Sequence, residues 1–201
     1  MNTGITRLLA ASVLSLGLAA PLMADTATLE PGRYEALMLA VTPDHQVEGF
    51  YAEELGEGVS RRCAFYFKGQ PGGSITTWSR AAYPGQVAAT ADGVTLTVQK
   101  GRQHPGCMSV LAPEIATGLE LGRIDSRAWI GLVSVSSDKA YLLKAPGSKA
   151  TKRPYIVKND VVGVLEYKDG WAKVEYVNAN DRSFTGWIRA DQYSPLVAPK
   201  S

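Results

Sequence analysis

From position 33 onward the chain alternates apolar and polar side chains in short runs, with the period of two that a half-buried strand requires. No window of about eleven residues carries a helical stripe. The runs are rich in Val, Ile, Thr, Tyr, Phe and Trp, and twenty glycines and eleven prolines break them. That grain predicts an all-β fold, built as two small antiparallel barrels or sandwiches. In the first half, strands are expected over 33–42, 47–55, 60–69, 74–80, 85–91, 94–100, 106–112 and 127–136. Several short strands joined by turns suit a meander barrel or a sandwich. Asp92-Gly93 marks a tight hairpin turn. Cys63, Phe65 and Phe67 fall on one face of their strand, Tyr66 and Lys68 on the other.

The grain changes near 137–138, which divides the chain into 25–137 and 138–201. In the second part strands are expected over 140–143, 155–157, 161–167, 171–178 and 184–189, with a long Lys/Pro/Gly loop at 144–154. Lys168-Asp169-Gly170 reads as a tight hairpin and 178–183 as a looser one. Leu142, Leu143 and Pro146 open this part. Lys158-Asn159-Asp160 then makes a turn, Gly170-Trp171 begins a strand, and Gly186-Trp187-Ile188 closes the series. In these features residues 138–201 resemble a bacterial SH3-like (SH3b) domain, with Asn159 where the family pattern carries glycine. The first part matches no family pattern.

The resemblance implies a five-stranded, SH3-like barrel of a kind that often holds cell-wall peptides, other peptides or partner proteins. It does not by itself fix a function. Recognition of this type uses an aromatic slot, and Trp171, Tyr193 and Tyr155 are expected to converge there. Tyr141 would add stacking area, and Lys144, Lys149 and Lys152 would meet carboxylates. Barrel packing is the competing role for these rings, because a small domain needs large side chains to fill its core. Trp187 and Ile188 alternate, so one of them faces that core, with Trp187 the expected one.

Positions 1–24 carry one cation, Arg7, then an apolar run broken by Pro21 and ended by the small Ala24. This is the pattern of a secretory signal peptide, too short and wrongly flanked for a membrane anchor. Its removal would leave a periplasmic or secreted bacterial protein in which disulfides are allowed. Cys63 and Cys107 are the only cysteines, so a structural disulfide between them is expected. A metal or redox pair is the alternative, and the chain lacks a CxxC and enough histidines for it. Charge is split: nine Lys+Arg against twelve Asp+Glu over 25–137, eleven against seven over 138–201. An anionic partner for the second part, mutual docking of the two parts, or plain scatter would each account for this.

Sites for chemistry are scarce. His45 and His104 are the only histidines, and no nucleophile signature accompanies them. His104 reads as a turn residue beside Pro105-Gly106. Glu53, Glu54 and Glu57 crowd one hairpin, where a solvated loop is simpler than a glycosidase pair. A contact surface for a basic protein is the other reading. The Gly-containing loops at 68–74 and 101–106 precede no helix, so nucleotide binding is not expected. The sequence therefore predicts a non-enzymatic binding protein without cofactor or metal. Its partner would be a peptidoglycan stem peptide or a periplasmic protein, not nucleic acid. The alternatives are a periplasmic inhibitor or immunity protein that neutralises a secreted enzyme, and a small-molecule carrier using the interior of the first barrel.

Overall fold

The computed structural model describes residues 28–56, 58, 61–150 and 153–199, together with Met1. The expected signal segment, Glu57 and Lys152 lie outside the described residues.

Eight strands close on themselves: β1 (Gly32–Tyr34), β2 (Leu37–Val41), β3 (Val47–Leu55), β4 (Arg61–Gly69), β5 (Ser74–Trp78), β6 (Ala82–Ala89), β7 (Gly93–Thr97) and β8 (Leu119–Ser126). Each pairs antiparallel with the next, and β8 returns to β1. The expected strand at 33–42 is two strands, because Tyr34 pairs with Leu37 across a turn at Glu35-Ala36. Residues 106–112 are not a strand. Gly106 takes a left-handed φ of 80° and starts a 3-10 turn at Cys107–Ser109, one of three in the β7–β8 connection. The eighth barrel strand is β8, whose mostly exposed residues hide its alternation.

The interior is full. Leu39, Phe65, Phe67, Val87 and Leu96 are wholly buried in one cluster with Tyr51. Val98, Cys107, Leu111 and Ile115 from the β7–β8 connection join the same cluster. Gly49 is glycine for a reason of space, since an added Cβ would sit 2.0 Å from the Phe67 ring. These side chains occupy the interior in which a carried small molecule would sit. Cys63 and Cys107 form the expected disulfide, clipping the 3-10 connection to β4.

The remaining strands are β9 (Gly131–Val135), β10 (Lys139–Tyr141), β11 (Tyr155–Val157), β12 (Val161–Lys168), β13 (Trp171–Val177), β14 (Ser183–Arg189) and β15 (Tyr193–Pro195). β10 and β11 form a two-stranded ribbon, and the others a five-stranded sheet in the order β14-β13-β12-β9-β15. A 3-10 turn, Ala190–Gln192, links β14 to β15. The strand expected at 127–136 is β9. It pairs with β12 and β15 rather than with the barrel. Its burial on both faces explains the error: Val133 and Val135 enter the second core, while Leu132 enters the seam with the barrel. In β14 the core position is Ile188, not Trp187. Trp187 is covered on the opposite face, across from Lys173.

The barrel and the sheet share a third cluster. Ala40 and Trp78 from the barrel wall meet Trp129, Leu132, Val161 and Leu196. Trp129 is wholly buried and donates its indole N–H to Glu175 Oε2 at 2.8 Å. Its ring lies against Gly163, where an added Cβ would be 2.3 Å away. Arg127 forks onto Asp125 and also reaches Glu175, while Arg33 binds Asp125 and Asp181. Glu48, on the barrel, accepts from Lys68 and from the backbone N–H of Leu132. The seam thus combines apolar burial with satisfied buried polar groups, the condition under which such groups do not cost stability.

Candidate functional site

The odd positions of β13 share one face. Trp171 pairs with Arg189 and Lys173 with Trp187 across the β13–β14 ladder. The even positions Ala172 and Val174 take the core. Trp171 is therefore turned outward, where it meets the long loop that follows β10. Tyr141, Leu143, Ser148 and Ala150 from that side, with Trp171, Arg189 and Gln192, line a groove of about 400 Å³. Arg189 is held by Asp191 through two hydrogen bonds, and its backbone N–H donates to Gln192 Oε1. Lys144 and Lys149 are exposed on the loop, with no ion-pair partner among the described residues. Tyr141 and Trp171 give the groove aromatic surface, Arg189 and Gln192 give it polar groups, and Lys144 and Lys149 stand on the adjoining loop outside its lining; such a groove can take an extended segment.

The structure brings only some of the expected residues together. Tyr141 and Trp171 share the groove. Tyr155 packs edge-on to Tyr141, 5.9 Å between centroids, but lines a neighbouring hollow of about 270 Å³ with Tyr176, Phe184 and Pro154. Lys139 covers the pair, its ammonium 3.8 Å from the Tyr155 ring centre. Tyr193 is turned away. It pairs with Val135 and packs on Tyr167, 6.5 Å between centroids. The convergence of Trp171, Tyr155 and Tyr193 expected from the sequence therefore does not occur, because the strand that starts at Tyr193 carries that ring to the other side of the sheet. Leu143, Arg189 and Gln192 were not foreseen as lining residues. The short turn after Gly186-Trp187-Ile188 was the available signal for Gln192.

The acidic hairpin is also divided. Glu53 shares the inward parity of β3 and accepts from the Tyr51 hydroxyl at 2.7 Å. Burial and this carboxylate both push the Tyr51 hydroxyl well above its ordinary pKa. Glu54 points outward and lies 3.5 Å from Arg62. No cluster of three metal-ligating side chains occurs among the described residues.

His104 is not a surface turn residue but a buried one, 2% exposed. It stacks on Phe65 and meets the edge of Tyr83. The Thr77 hydroxyl donates to the Tyr83 carbonyl, so His104 Nε2–H donates to Thr77 Oγ1 at 3.0 Å. Ser79 Oγ–H then donates to Nδ1 at 3.2 Å, which assigns the tautomer from the network. Burial lowers the imidazole pKa to about 4, so the ring is neutral near pH 7. A group whose folded pKa is depressed in this direction favours the unfolded state once that state protonates. Stability should fall as pH drops from about 6.5 to about 4, by about 3 kcal/mol. Asp125, whose pKa is held low chiefly by Arg127 and then Arg33, adds a further loss below the ordinary carboxylate range. Urea titrations at stepped pH check this, and His104→Asn should flatten the slope between 6.5 and 4. An unchanged slope would remove His104 as its source.

Comparison with family models, with curated proteins and with solved structures returned no match.

Proposed function

We propose that the protein is an exported, non-enzymatic binding protein whose SH3-like second part holds a peptidoglycan stem peptide or a segment of a periplasmic protein. The observation that carries this reading is the groove lined by Tyr141 and Trp171, next to a loop that bears the exposed Lys144 and Lys149. The strand order β14-β13-β12-β9-β15, with a 3-10 turn before the last strand, supports the SH3-like assignment. The disulfide is compatible with an oxidising compartment. Trp171 supplies the stacking surface, Tyr141 the opposite wall, and Lys144 and Lys149 long-range attraction for carboxylates, which salt would screen.

The test is cosedimentation of the mature protein with purified peptidoglycan sacculi at two salt concentrations. Trp171→Ala should abolish pelleting while leaving cooperative unfolding intact, since the ring is only half-buried. Pelleting by the variant equal to that of the parent would exclude the groove as the binding element. Absence of pelleting by the parent would move the reading to a protein segment, sought by crosslinking in the periplasm. The inhibitor reading has less support, because Glu53 is engaged by Tyr51 instead of facing outward with Glu54.

A further inference from the structure

At the other end of the same β13 face lies Val177, roughly 20 Å from Trp171 at the rise of an extended strand. There the barrel wall and the β13–β14 hairpin splay apart and leave a cleft of about 410 Å³. Its floor is the open margin of the seam cluster: Met38, Phe50 and Val177 pack against that cluster but are only partly covered. Ile124, 54% exposed, forms one side.

The charges around this floor are unequal in availability. Arg33 bridges Asp125 and Asp181, so its cation is already matched on both sides. Glu35 lies exposed in the β1–β2 turn, and it has no ion-pair partner among the described residues. Glu54 has only a 3.5 Å contact with Arg62 in which both side chains stay about half exposed. A pair of that kind holds its partner weakly. The cleft therefore offers an apolar floor, an unpaired carboxylate at Glu35 and a second, Glu54, that Arg62 holds only weakly.

We propose that this cleft docks a protein partner through an apolar side chain with a neighbouring lysine or arginine. The apolar residue covers Met38, Phe50 and Val177, and the cation meets Glu35 and Glu54. This surface is independent of the Trp171 groove, and either could operate without the other. The volume lies in the range of sites that enclose a small ligand or one anchor of a larger partner, and placement at the junction of two packed units is where such sites concentrate.

The experiment uses the mature chain and two blocked dipeptide amides, acetyl-Phe-Arg-amide and acetyl-Phe-Glu-amide, followed by methyl resonances of Met38 and Ile124. The arginine peptide should shift both methyls at millimolar concentration and bind about tenfold tighter than the glutamate peptide. Glu35→Gln with Glu54→Gln, both exposed and tolerable to the fold, should erase that preference. Equal binding of the two peptides to the parent would reduce the cleft to a non-selective apolar hollow and overturn the proposal. So would shifts confined to the Tyr141–Trp171 groove, or none at all.

Discussion

Trp129→Ala is expected to cost about 4 kcal/mol, within the range for deleting a wholly buried tryptophan. The ring fills the seam between barrel and sheet and rests on Gly163, which has no side chain to close the gap. Its indole N–H leaves with it, so Glu175 Oε2 loses its donor in a place that is 8% exposed. An abandoned buried acceptor adds its own penalty. Arg127 would still hold the other oxygen of Glu175. The damage should therefore be directional. Urea unfolding of the parent should follow one transition, and the variant should separate into two, with the sheet and the barrel melting apart. Hydrogen exchange at Leu132 N–H, which donates to Glu48 across the seam, should speed up more than exchange inside the barrel. A loss of unfolding free energy below about 1 kcal/mol would show that the seam does not depend on this ring.

The second large effect concerns the disulfide. Cys63 and Cys107 are separated by 44 residues. In the chain-entropy account a loop of that size stabilises by about 4 kcal/mol. Cys63→Ala with Cys107→Ala should lower stability by that order, and dithiothreitol should do the same to the parent. The structural consequence should concentrate in the β7–β8 connection, because its 3-10 turns have few ladder hydrogen bonds to hold them. Val110, Leu111 and Ile115 pack in the barrel cluster, so some attachment would survive. Proteolysis by a protease cutting after methionine-like residues would then find Met108, already 61% exposed, more readily in the double variant. An unchanged cleavage rate together with unchanged urea midpoint would show the clip to be dispensable.

Much of this architecture was legible in the alternation and in the turns that bound it. The strand at 47–55 has the bounds read from sequence, and β4, β11 and β12 lie within a residue of theirs. β4 and β11 alternate between buried and open positions, so the period of two shows, whereas β3 and β12 open with runs of buried residues and owe their bounds to the turns that flank them. The failures have a common cause. β9 is apolar on both faces because one side meets the second core and the other meets the seam, and a sequence cannot say which sheet claims such a strand. β8 is mostly exposed on both faces and has little alternation to detect. In the groove, Trp171 and Tyr141 were readable from Gly170-Trp171 and the strand after position 138. The placement of Tyr193 depended on a 3-10 turn whose rotation a pattern of residues does not encode. The cleft at Val177 had no signal, since Met38 and Phe50 are ordinary outward positions until a second unit packs beside them.

The closed barrel has a bearing on how any partner can be recognised. Its eight strands leave no terminal strand to extend. In the five-stranded sheet, β14 is bridged at Trp187 by Leu143, and β15 is three residues long and ends in Pro195. Among the described residues the open main-chain edges are therefore short ones: three residues of β15, three on each strand of the β10–β11 ribbon, and the stretches of β14 on either side of that bridge. Short edges give a partner little affinity from generic backbone pairing, which accepts almost any sequence. The hollows lined by side chains offer more contact, so selectivity for residue type is favoured by the topology of the sheets themselves.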